Sequence, residues 1–166
     1  MELRPEFILP IVSRTLRDTV LPAVDETHEV AQEQLKLAIG FLDVLIGQLP
    51  VLPAFDRDEL HRHAALAKEL AALDVDIDKA ALRKALYGVG GARLPDVTRD
   101  LRTAISGFVD AVHRGSDAEA SRKVHRIVLD FAGPQFLRER ALVAAMGFES
   151  GAEPIPPIDE QLRERR

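Results

Sequence analysis

Apolar residues return every three or four positions along most of this chain, and the densest such run covers residues 30–49. Leu35, Leu42 and Leu49 share one heptad column, and Ala31, Ala38 and Leu45 share the next. Val30, Leu37 and Val44 make a neighbouring column, with Ile39 and Ile46 beside it. Only the column Glu29, Lys36, Asp43 is consistently charged, and Gly40 and Gly47 lie next to it. A helix that is apolar around most of its circumference is normally buried among other helices. The pattern therefore predicts a central helix over about Asp25 to Leu49, stopped by Pro50 and Pro53.

The same period recurs on either side. Leu9, Val12, Leu16 and Val20 predict a first helix from about Phe7 to Leu21. Pro10 is tolerable there only in the first turn, and Pro22 ends or kinks the helix. A third helix is expected to open at Asp56, with Glu59 completing a capping box and Phe55 stapling to Leu60, and to run to Leu73. The turn Asp74–Asp78 leads into a fourth helix, Ile77 to Tyr87, closed by the glycines 88–91. A fifth begins at Leu94-Pro95-Asp96, carries the stripe Val97, Leu101, Ile105, Phe108 and Val112, and ends at Gly115. Ser116 and Glu119 form a second capping-box signature for a sixth helix, with Ala120, Val124, Ile127 and Phe131 on its inner side. Gly133-Pro134 is expected to break the chain before a seventh helix, which runs to Met146 with Gly147 as its C-cap. No segment has a strand period. The fold class is all-α, a single-domain antiparallel helical bundle of about six or seven helices over residues 1–148. Residues 149–166 read as a Pro-rich, charged tail, mobile or strapped down through Ile155 and Ile158.

Composition narrows the function classes. With 166 residues the chain can bury a sizeable core. It contains no Cys, which excludes a disulfide framework, thiolate-bound zinc and a Cys nucleophile. A net charge of −5 and the absence of Trp argue against a nucleic-acid partner. The N-terminus has no charged-then-apolar signal pattern. The most apolar run, Leu37 to Phe55, is interrupted by Asp43, Gln48, Pro50 and Pro53, so no membrane span is expected. The expected location is the cytoplasm.

Several motifs fail their own tests. Asp74-x-Asp76-x-Asp78 opens like a calcium loop, but Lys79 and Ala85 stand where that loop needs Gly and Glu. The glycines 88–91 follow a helix rather than a strand, unlike a phosphate cradle. Ser13, Ser106 and Ser121 lack any Gly-x-Ser-x-Gly context.

The histidines form the one constellation with possible chemistry. His28, His61 and His113 each have an Asp three residues earlier: Asp25, Asp58 and Asp110. That spacing puts acid and imidazole on one helical face, and an acid-x-x-His pair on facing helices is how bundle proteins supply metal ligands. In an up-down bundle, Asp25, His28, Asp110 and His113 would meet at one end and are the candidate metal ligands. His61 would lie at the other end, near His63. Against this stand the absence of any Glu-x-x-His and the plain alternative of surface ion pairs and caps. The basic run Arg122, Lys123, His125, Arg126, with Arg138 and Arg140, reads either as an anion-binding patch or as a solvated helix face.

Leu16-Arg-Asp-Thr-Val-Leu-Pro-Ala-Val24, running into a long apolar helix, resembles the opening of a family of small bacterial helical proteins. Members of that family tend to be encoded beside acyl-CoA dehydrogenase-like and aminoglycoside-phosphotransferase-like enzymes. Asp130-Phe-Ala-Gly-Pro-Gln-Phe-Leu137 is similar to the family's closing Asn-Pro-aromatic motif, with Gly133 where Asn would stand. The likeness covers about a third of the chain, and this chain continues past the usual end of such proteins. It implies an accessory role near acyl-CoA or phosphotransferase chemistry and carries over no site residue.

The expectation is a non-catalytic accessory or interaction protein that needs no cofactor and has a second copy or another protein as partner. The alternative is a metal- or small-ligand-binding bundle, with or without enzyme activity, using the Asp/His end.

Overall fold

A computed structural model describes residues 4–88, 93–115, 118–144 and 154–163. Among the described residues the chain is all-α, with seven α-helices and no strand. Its contacts fall into two compact units: residues 1–53 with 139–166, and residues 54–138.

The first unit is built on a helical hairpin. Helix α1 spans Pro5–Thr15 and continues as a π-helical turn, Leu16–Val20, and a 3-10 turn, Leu21–Ala23. It starts earlier than Phe7 because Pro5 sets the first helical φ. Pro10 consequently falls inside the helix rather than in its first turn, on an exposed side. Pro22 is the second residue of the 3-10 turn. Helix α2 spans Glu29–Gln48. It begins later than Asp25 because that carboxylate accepts the Thr27 N–H at 2.8 Å and the Thr27 hydroxyl at 2.7 Å, which holds a turn outside the helix. Helix α2 then folds back along α1: Ser13 donates to Asp43 at 2.7 Å, Arg17 pairs with Asp43, and Gln32 reaches the Val24 carbonyl at 3.3 Å.

Helix α2 is not the buried central helix its composition predicts. Only Ile39 and Val44 on it are buried, while Val30, Leu37, Phe41 and Leu45 are exposed. The physical reason lies in Asp43. The charged column that reads as a solvent face contributes, at Asp43, the group that meets α1, so part of the apolar circumference is turned outward. Elsewhere in this unit Gln48 donates to the Leu142 carbonyl at 2.9 Å, and a short helix, Ile158–Arg163, follows the extended residues 154–157. The expected C-cap Gly147 and most of the expected tail lie outside the described residues.

The second unit holds the hydrophobic core. Helix α3 is Leu52–Ala72, α4 is Ala80–Tyr87, α5 is Leu94–Gly115 and α6 is Ala118–Val143; α7 is the Ile158–Arg163 helix of the first unit. Leu70, Leu82, Leu101, Val112 and Val124 are almost completely buried. All of the α5 stripe, Val97, Leu101, Ile105, Phe108 and Val112, is buried as the period requires. Two expected boundaries move. Pro53 sits in the first turn of α3 instead of ending a helix, so Asp56 lies inside the helix and the capping box does not form. The Gly133-Pro134 break is absent, and the expected sixth and seventh helices are one. Pro134 and Gly133 are exposed, while Gln135 and Arg138 just beyond them are buried and bonded. Packing on that side outweighs the roughly 3 kcal/mol that an interior Pro costs a helix. Just before α4, whose N-cap is Lys79, Asp78 accepts the Ala80 N–H at 2.8 Å. Ser116, the expected cap of α6, lies outside the described residues.

Candidate functional site

The members of the expected Asp/His constellation belong to different units. Asp25 and His28 belong to the first unit, and Asp110 and His113 to the second. Asp25 is occupied by Thr27, whose backbone N–H and hydroxyl hold its carboxyl below the ordinary aspartate value. His28 is exposed and precedes α2 without a side-chain capping bond. His113 lies instead against His125 of α6, with ring centroids 5.8 Å apart. Asp58 pairs with Arg138 at 3.3 Å rather than with His61, which is exposed. Among the described residues, no three His, Asp or Glu side chains are grouped to hold a metal ion. The basic patch is also smaller than its sequence. Arg122, Lys123, His125 and Arg126 are exposed, but Arg138 is buried on Asp58.

Inside the second unit a polar network joins three helices. His63 of α3 is buried, and its Nδ1 lies 2.8 Å from the Glu59 carbonyl. Arg102 of α5 donates its Nε–H to His63 Nε2 at 3.2 Å. A guanidinium can only donate, so Nε2 accepts and the ring proton sits on Nδ1. Arg102 also pairs with the Glu59 carboxylate, which accepts Gln135 Nε2 of α6 at 3.2 Å. The Gln135 oxygen in turn accepts from Arg62 Nε at 3.2 Å. Phe131 closes the group, edge-on to His63 at 4.9 Å and under the Arg62 guanidinium at 5.3 Å. Every polar group named is engaged by a neighbour, so the network fixes how α3, α5 and α6 pack. Sequence reasoning missed it; the only local trace is the four-residue spacing of Glu59 and His63.

An open cleft lies between α4 and α5. Its volume is about 960 Å³, at the upper end of the range for small-molecule sites. Leu82, Val97 and Phe108 form the floor, and Ala81, Ala85, Ala104, Gly107 and Ala111 form the walls. Asp76, Asp78 and Asp100 stand at its edge, with Lys84 the one cation among the described lining residues. The small side chains create the space: a Cβ placed on Gly107 would meet nothing within 4 Å. A second, shallower hollow of about 520 Å³ involves only Thr27 to Gln34, at the start of α2.

The first unit also carries an exposed apolar stripe on α2 itself. Val30 is 77% exposed, Leu37 48%, Phe41 52% and Leu45 46%. Spaced seven, four and four residues apart, they form one stripe on the side of the helix turned away from Ile39 and Asp43. Among the described residues, no single helix is long and apolar enough to cross a membrane; α2 and α3 pass that test only as a pair bent by 71°. No family model, curated protein or solved structure matches the chain.

Proposed function

We propose that this protein works by docking rather than by catalysis, as an accessory protein whose folded core carries an apolar helix face for a protein partner. The supporting observation is the α2 stripe Val30, Leu37, Phe41, Leu45, exposed on a helix whose composition suits burial on nearly every side. The test is thermal and urea unfolding of the Phe41→Glu chain, diluted until it sediments with the mass of one chain. Stability within about 0.5 kcal/mol of the parent chain is expected for a side chain outside its own core. A loss of several kcal/mol at that dilution means Phe41 is part of the chain's own packing, and the reading falls.

A second reading rests on the α4–α5 cleft, whose size and apolar floor suit a small ligand, and whose surplus of carboxylates favours a cation with an apolar body. Tetraphenylphosphonium and tetraphenylborate have the same shape and opposite charge. Calorimetric binding of the cation, weakened by Asp100→Asn and blocked by Gly107→Leu, is the expected outcome. Equal binding of both ions, or of neither, removes this reading.

A further inference from the structure

We infer that the occupant of the α2 stripe is the α2 helix of a second copy of this chain, packed antiparallel about a two-fold axis close to Leu37 and Ala38. The inference rests on the docking reading above and names its partner.

The N-terminal hairpin is underburied for its length. Its helices meet through Ser13 and Asp43, yet among the described residues Ile39 and Val44 are its only buried aliphatic side chains. A helical pair of this size needs more apolar burial than that to offset the ordering of its backbone, at about 1–2 kcal/mol per residue. Two such hairpins placed stripe to stripe make a four-helix arrangement, in which each α2 is covered on two sides.

The stripe is complementary to itself. Inverted about residues 37 and 38, Val30 falls opposite Leu45, Gln34 opposite Phe41, and Leu37 opposite Ala38. Larger side chains thus meet smaller ones near the axis, and the helix dipoles oppose each other. Closed two-fold pairing of like surfaces is the commonest oligomer geometry. The area is sufficient. With side chains of this kind exposing on the order of 100 Å² each, and the exposed Ala31, Gln34 and Ala38 beside them, two copies bury about 1,000 Å², the threshold for a specific interface.

The charges favour this partner over a lipid surface. Lys36 is the only cation on α2 and is taken up by Glu33 at 3.1 Å, while Glu29, Glu33 and Asp43 are acidic. A helix that lies on a membrane carries a basic polar face, which α2 lacks.

The chain has no cysteine, so single cysteines report the geometry directly. Sedimentation of the full chain over a range of concentrations should show a reversible dimer, with Phe41→Glu raising its dissociation constant about 100-fold. Under mild oxidation the Leu37→Cys chain should cross-link to itself. The Val30→Cys chain should not, because antiparallel pairing separates the two copies of that position by about 20 Å. Cross-linking at both positions means parallel helices and overturns the inference. A dimer that cross-links at neither position uses another surface and overturns it as well. A chain that stays monomeric also overturns it, and the dilute-chain stability of Phe41→Glu then separates the cases. Unchanged stability leaves the stripe free for a different protein, whereas a large loss removes the docking reading too.

Discussion

The buried Ser13 hydroxyl donates to Asp43 at 2.7 Å and ties the N-terminal hairpin together. Asp43→Ala leaves that hydroxyl without its acceptor, at an expected cost of about 1–3 kcal/mol. Arg17 reaches the same carboxylate, but its side chain is 49% exposed. Arg17→Ala should therefore cost less than about 1 kcal/mol. Urea unfolding followed by circular dichroism measures both; equal losses would contradict the asymmetry.

A second contrast tests the network of the core unit. Gln135 is buried and serves Arg62 and Glu59 at once. Removing it by Gln135→Ala strips a partner from each, so a loss of about 1–3 kcal/mol is expected. Gln135→Glu keeps an acceptor for Arg62 but sets a second carboxylate against Glu59, so it should rescue only in acid, where one of the two is protonated. Rescue that is complete at neutral pH would show that Glu59 does not take its bond from Gln135.

Gly107 lies mid-helix in α5 with open space where its side chain would be. Gly107→Ala should raise stability by about 0.5–1 kcal/mol through helix propensity alone. Leu101→Ala, six residues earlier and fully buried, should lower it by about 2–5 kcal/mol. A destabilising Gly107→Ala would mean that the α4–α5 cleft is closed in solution.

Asp25 supplies a pH prediction. Its carboxyl titrates below the ordinary aspartate value because Thr27 donates to the charged form through its backbone N–H and its hydroxyl. A depressed folded-state pKa favours the turn above the unfolded value, and that advantage is lost as pH falls through the folded one. The Thr27 amide resonance should therefore move in acid with a midpoint below that of an unfolded peptide. Asp25→Asn should abolish the transition. A midpoint at or above the peptide value would contradict the bond.

The α5 stripe was fully legible because a helix with one apolar face has a single way to be buried. Capping chemistry was less so. Asp56 and Glu59 carry a sound signature, but Pro53 suits a first helical turn equally well, and the Glu59 carboxylate is used by α5 and α6 instead. Pro134 shows the same limit, since packing of its neighbours overrides a local breaker. The network of Glu59, His63, Arg102 and Gln135 is assembled from separate helices, and no spacing along the chain encodes such a meeting. The Asp-x-x-His triplets were genuine repeats whose members are spent on local tasks: Asp25 on a turn and Asp58 on Arg138. For α2, periodicity stated that apolar surface exists on several sides but not which molecule covers each side.

The π-helical turn at Leu16–Val20, closed by the Leu21 N–H on the Leu16 carbonyl, has the wider five-residue spacing of its kind. It amounts to a one-residue insertion absorbed without breaking the helix. Deleting any one of those residues would restore ordinary winding and swing everything upstream by about 100° around the helix axis. Ser13 would turn away from Asp43, and a different edge of α1 would meet α2. The hairpin's seam is thus set by a phase offset stored in a single turn, and chain length there matters more than which side chains fill it.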